Sequence, residues 1–222
     1  MTMNAGAAEV DAAFRAFVSD PRFPCLAGKG VVRTPGYDHG VYGTLGSSES
    51  TPALAADLDA FVAHSVADPT RLHSFVAVFT GSTCADEGEF EHGLWLQLQR
   101  LSDLDAGTPW DPMVSDDPDD PRFAFSHCGC AMFIVGLHPA SSRLARRFRW
   151  PTLVFNPRSQ FEALKATHRF DRLRGAVRER EIALQGTLNP NLADFGEQSE
   201  ARQYSGRETG PEWQCPFHRR TP

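Results

Sequence analysis

The stretch Phe123–Phe155, FAFSHCGCAMFIVGLHPASSRLARRFRWPTLVF, decides the fold class. Two runs rich in aromatic and β-branched residues, Phe123–Ser126 and Ala131–Leu137, stand on either side of Cys128-Gly129-Cys130 and read as strands. His138-Pro139 closes the second run, and the following residues predict a helix to about Arg147. Thr152–Phe155 then reads as another strand. Strands and helices mix here without the regular βαβ beat of a parallel sheet, so the class is α+β: a mixed sheet with flanking helices.

The flanks agree with that class. Val10, Phe14, Phe17 and Val18 have helical spacing that stops near Asp20-Pro21. Pro24–Ser50 is rich in Gly, Ser, Thr and Pro and reads as a loop carrying Cys25, Lys29, Tyr37, His39 and Tyr42. Thr51-Pro52 opens a helix through about Ala67, with Thr51 as cap and Pro52 at the first helical position. Ser74–Phe79 (SFVAVF) is a strand, and Phe90, Leu94, Leu98 and Leu101 mark a helix over Phe90–Leu104. Asp111–Arg122 is an exposed Asp- and Pro-rich loop. Helices are expected over Ser159–Thr167 and Arg172–Gln185, and Thr187–Pro222 is expected to wrap the core. The 222 residues suit a single domain over 1–222.

Composition excludes several classes. The 22 basic and 28 acidic residues leave a formal charge of −6, which argues against non-specific nucleic-acid binding. Five scattered cysteines do not form a disulfide framework and fit a reducing compartment. No basic segment followed by an apolar run stands at the start, and the longest apolar run, Ala131–Leu137, is too short to cross a bilayer. A cytoplasmic location is expected, with no membrane partner. There is no glycine-rich phosphate loop after a strand, no Gly-x-Ser-x-Gly and no His-Glu-x-x-His, so nucleotide-binding, serine-hydrolase and zincin readings lack support.

Four constellations can carry chemistry. His138 stands at a strand tip, followed by Arg143, Arg146 and Arg147; such an imidazole can hold iron beside cations that neutralise propionates, or it can cap a turn beside a solvated arginine face. His127-Cys128-Gly129-Cys130 offers imidazole and thiol for a soft metal, or small apolar side chains for a core. Cys25, four residues before Lys29, can be a reactive thiol, a soft iron ligand or a loop anchor. Leu184–Arg207 interleaves Phe195 and Tyr204 with Asp194, Glu200 and Arg202, which suits either a segment packed over a site or a surface tail.

Collinear blocks then carry a resemblance. Phe23–Lys29 (FPCLAGK), Ser74–Phe79, Phe90–Trp95, Val135–Pro139 (VGLHP), Ser142–Phe148, Val154–Pro157 (VFNP), Gln160–Glu162, Ser199–Gly206 and Cys215–Phe217 together resemble the YqcI/YcgG family across nearly the whole chain. Members with known activity are haem-dependent N-hydroxylases of guanidino groups, some of them in antibiotic biosynthesis. The resemblance implies heme b, and L-arginine or a related guanidino compound as substrate. It implies dioxygen or peroxide as oxidant and an N-hydroxyguanidine as product, and leaves open an electron donor and a homodimer. On that reading His138 holds the iron, and Arg143, Arg146, Arg147, Lys29, Cys25 and Arg202 surround the cofactor or the substrate carboxylate. Glu162, Asp194 and Glu200 are the candidates to orient the guanidinium. Two other readings stand beside it: a haem sensor or carrier, and a non-haem metal enzyme built on His127, Cys128, Cys130 and His138. The chain departs from the family pattern at Arg158, where relatives often carry His, and at His127–Cys130, where a Phe-Gly-Gly type of sequence is expected.

Overall fold

The computed structural model describes residues 5–34, 37–166 and 170–220. Helices α1 (Ala7–Ser19) and α2 (Leu26–Val31) precede strand β1 (Tyr37–Tyr42), and α3 (Thr51–Ala67) leads to β2 (Ser74–Phe79). Helix α4 (Glu87–Leu104) is followed by β3 (Phe125–His127), β4 (Cys130–Leu137) and β5 (Thr152–Pro157). Helices α5 (Ser159–Ala166), α6 (Phe170–Gln185) and α7 (Ala201–Tyr204) complete the chain. The sheet runs β1-β2-β5-β4-β3, with β1 and β2 parallel and every other pair antiparallel. This is the expected α+β class with a mixed sheet. Among the described residues no helix is long and apolar enough to cross a membrane.

Period-two alternation divides the strands between two faces. Phe75, Ala77 and Phe79 of β2, Ile134 of β4, and Leu153 and Phe155 of β5 face a large core closed by α3, α4 and the C-terminal segment. Val76 and Val78, with Val135 and Val154, face the opposite side beneath α1. The segment after α6 does wrap the core, with Tyr204 and Phe217 fully buried within it.

Two expectations are corrected. The Pro24–Ser50 loop contains helix α2 and strand β1. Asp38, His39 and Gly40 hide the strand, yet Gly40 is required: a Cβ there would lie 2.1 Å from the Tyr42 hydroxyl, whose ring folds back along the strand. The helix expected after Pro139 is only a single 3-10 turn, Leu144–Arg146. The free N–H groups of this segment go to side chains instead of a helical ladder: Ser142 N–H donates to Glu87 at 2.8 Å and Leu144 N–H to Gln185 at 2.8 Å. Thr167, the expected end of α5, lies outside the described residues, as do Pro35 and Gly36 of the loop and the last two residues of the wrapping segment.

Candidate functional site

On the α1 side the sheet is not fully covered. A recess lies between Phe14 and Val18 of α1, α2, and the strand residues Val76, Val135 and Val154. The lining is almost wholly apolar because β-branched strand residues and helix aromatics meet there. A second recess carries charged side chains on a largely apolar wall. Arg158 at the end of β5, Lys165 of α5, Arg174 and Arg178 of α6, and Asp194 and Glu200 of the wrapping segment line it. Cys25, Ala27, Phe133 and Phe161 border both, so an apolar slot adjoins a charged vestibule.

The vestibule is organised by ion pairs. Arg158 lies over the Phe195 ring, 3.3 Å from its centroid, and donates to Glu200 Oε1 and to Glu162 at 3.4 Å. Lys165 holds the same Glu162 oxygen at 2.9 Å. Asp194 accepts from Arg174 and faces Arg178 at 3.6 Å, so two guanidiniums share one carboxylate. Glu200 is only 5% exposed, and its second oxygen, Oε2, has no hydrogen-bond partner. Burial outweighs the neighbouring Arg158 and pushes its pKa up to about 7. A buried carboxylate with a free acceptor and a pKa near neutrality is the arrangement expected where a cationic ligand completes the pairing.

Cys25 sits at the junction of slot and vestibule. It caps α2, its Sγ accepting the Gly28 N–H at 3.3 Å, and burial raises its thiol pKa. Among the described residues no histidine borders either recess. His138 is at the tip of β4, fully buried on the other face, with its ring stacked on Phe90 at 4.2 Å between centroids. Gly136 makes that close approach possible, since a Cβ there would meet Phe90 at 2.6 Å. Both ring nitrogens of His138 lack partners, and burial lowers its pKa to about 4, so the imidazole is neutral.

The structure therefore brings together Cys25, Asp194 and Glu200, sets the exposed Glu162 on Arg158 and Lys165, and places the remaining candidates elsewhere. Arg146 is half-buried and donates to the Gly136 and Tyr204 carbonyls at 3.3 and 2.9 Å, and desolvation of its guanidinium lowers its pKa to about 10. Arg143 pairs with Glu181 and the Thr187 carbonyl. Arg202 ties down the C-terminal segment through the Gly210 and Trp213 carbonyls at 3.0 and 3.1 Å. Lys29 donates to the Pro21 carbonyl at 3.2 Å and the exposed Arg147 to the Ser141 carbonyl at 2.9 Å. Lys165, Arg174 and Arg178 were not singled out from sequence, although Arg174 and Arg178 share one helix face at i and i+4.

The combined set His127, Cys128, Cys130 and His138 is corrected. His138 follows the far end of β4 from Cys130, eight residues at about 3.3 Å each, so the four cannot share one ion.

The Uncharacterized protein YqcI of Bacillus subtilis (strain 168) is 30% identical over 135 residues, 58% of this chain and 53% of that protein. The chain thus spans about half the length of the curated relative it matches. No solved structure matches it. The YqcI/YcgG family profile matches residues 14–218, from α1 to beyond the buried Phe217, and the chain belongs to the YqcI/YcgG family.

Proposed function

We propose that the chain is a haem-dependent monooxygenase that hydroxylates the terminal guanidino nitrogen of L-arginine or a related guanidino compound. The observation that carries this reading is the unpartnered Glu200 Oε2, buried in a charged vestibule that adjoins an apolar slot. A planar apolar macrocycle suits the slot, since Val76, Val135 and Val154 give it a floor without polar atoms to desolvate. Haem bound there would supply the activation of dioxygen or peroxide that N-hydroxylation needs.

The chain's own residues then hold and orient. Cys25 is the soft donor that borders the slot, and it would hold the iron from the N-cap of α2, its thiol proton leaving on coordination because burial otherwise keeps it in place. This assignment replaces His138, whose ring touches Phe90 and borders neither recess. Arg174 and Arg178, which share Asp194, would pair with the propionates. Ionised Glu200 accepts one guanidinium N–H on Oε2 while Arg158 keeps Oε1, which fixes the carboxylate's rotation and so the position of the substrate nitrogen.

Reconstitution of the full chain with haem tests the reading. A Soret band is expected in the native chain, displaced or lost in Cys25→Ser and retained in His138→Ala. Arginine with reductant and oxygen, or with peroxide, should yield N-hydroxyarginine. Glu200→Gln should raise KM about tenfold or more without moving the spectrum. Because the Glu200 pKa lies near 7, protonation below that pH removes the guanidinium's partner, and KM should climb as pH falls through it. Absence of a Soret band, or of hydroxylated product from every guanidino compound tried under both oxidants, would overturn the proposal.

A further inference from the structure

A second cluster lies outside both recesses, at the tip of the β3–β4 hairpin. His127 ends β3, and Cys128 and Gly129 form the two-residue turn, both with positive φ, +50° and +69°. Two positive φ values mark a turn that favours Asn-Gly, and an L-residue other than Asn or Asp is disfavoured there. Cys128 is the one positive-φ residue other than glycine among the described residues. Its left-handed backbone swings the thiol toward α3, where Sγ lies 3.0 Å from Asp59 Oδ1. His127 Nε2 reaches the same oxygen at 2.8 Å.

The two donors thus converge on a single oxygen. Asp59 can only accept, so in the metal-free chain Nε2–H and Sγ–H both point at Oδ1. The three ligand atoms lie within 4.8 Å of one another. Tetrahedral coordination at ordinary zinc distances sets nitrogen, oxygen and sulfur donors about 3.3–3.6 Å apart. Opening the observed 2.8 and 3.0 Å contacts by roughly half an ångström reaches that spacing, and the exposed Asp59 is free to make the movement. The remaining imidazole nitrogen supplies an independent sign. His127 is 2% exposed, and its Nδ1 has no hydrogen-bond partner but faces Asp105 Oδ2 at 3.7 Å. Asp105 is itself fixed by the Cys128 N–H at 2.7 Å. A histidine that ligates through one nitrogen and presents the other N–H to a carboxylate is the usual second layer of a protein metal site.

We infer that Asp59, His127 and Cys128 bind one thiophilic divalent cation, zinc by the chemistry of the donor set, with Asp105 positioning the imidazole. Binding is balanced as follows: the Cys128 thiol proton leaves to solvent, and the imidazole proton moves from Nε2 to Nδ1, where it stays and faces the Asp105 carboxylate. Imidazole, thiolate and carboxylate then offset the dication, and the solvent-facing side beside Asp59 leaves one position for water. The ion would join α3 to the hairpin turn. Cys130 takes no part; although paired with His127 in the ladder, its Sγ is turned to the Ala131 carbonyl.

The test uses the full chain, haem-free, reduced and stripped with chelator, titrated with Co²⁺. A sulfur-to-cobalt charge-transfer band with tetrahedral d–d absorption should saturate at one equivalent and be bleached by Zn²⁺. Cys128→Ser should remove that band, and Asp105→Asn should weaken binding about 10–100-fold. Asp59→Asn, an exposed change that leaves the fold intact by circular dichroism, should weaken binding about tenfold or more. Cys25→Ser and Cys84→Ser should keep the band. No charge-transfer band, or an unchanged band in Cys128→Ser, would overturn the site. Because no haem is present, neither result depends on the proposed hydroxylation.

Discussion

The two faces of one sheet are used in opposite ways. Toward α3 and α4 the strands send Phe75, Phe79, Ile134, Leu153 and Phe155, and this side is filled by Phe90, Leu94, Leu98, Trp95 and Phe217. Toward α1 and α2 the same strands send Val76, Val135 and Val154, and this side keeps an open recess. The backbone is common to both, so the difference resides in alternate residues: chiefly aromatic and long aliphatic side chains where the layer is dry, and a central trio of valines, flanked by Phe133 and Leu137, where volume is left for a ligand. Binding surface and stabilising core are thus set by two interleaved half-sequences, and substitutions at adjacent positions should have separable effects.

The largest separation is expected at Phe155 and Val154. Phe155→Ala empties a fully buried position on the filled face and should cost about 3–5 kcal/mol in denaturant unfolding. Val154→Ala, one residue away, removes atoms that already border open volume and should cost about 1 kcal/mol or less. Equal losses would mean that the recess is as tightly packed as the core, and the contrast between faces would fail.

His138 is the anomaly of the filled face, a polar ring packed among aromatics with neither nitrogen bonded. Its folded pKa of about 4 lies below the ordinary 6.5, so below that ordinary value the unfolded chain takes up a proton that the folded chain refuses. Stability is therefore full above pH 6.5 and falls as pH drops, by about 3 kcal/mol at pH 4. His138→Phe should flatten that part of the urea-midpoint profile while leaving the haem spectrum unchanged. A lost Soret band in that variant would move the iron from the recess to this face.

The strands and long helices were legible because each carries an uninterrupted period: SFVAVF for β2, Phe90-Leu94-Leu98-Leu101 for α4. Strand β1 was not, since its polar centre and Gly40 make sense only beside β2 and under Tyr42. The segment after Pro139 misled for a related reason: its serines and arginines suit a helix, but Glu87 and Gln185, remote in sequence, claim its backbone donors. Of the site, the acidic members Asp194 and Glu200 were legible as carboxylates in a segment too aromatic for a tail. The cations were not. Arg146 and Arg202 look as suitable on paper as Arg174 and Arg178, and only the fold commits the first two to carbonyls and the second two to the vestibule.

The smallest effect on stability, and the sharpest on binding, should come from filling the recess. Overpacking a dense core costs about 1–3 kcal/mol because neighbours are driven off their rotamers. At Val154 the added ring of Val154→Phe projects into existing volume beside Val76 and Val135, so the change in unfolding free energy should stay within about 1 kcal/mol. The ring would occupy the floor on which the proposed haem rests, and haem retention should be lost although the fold is intact. A variant that unfolds would show that the recess closes in solution. One that folds and keeps its Soret band would show that haem lies elsewhere. The expected pair, unchanged stability with lost haem, follows only if this face of the sheet is held open by the small size of its side chains.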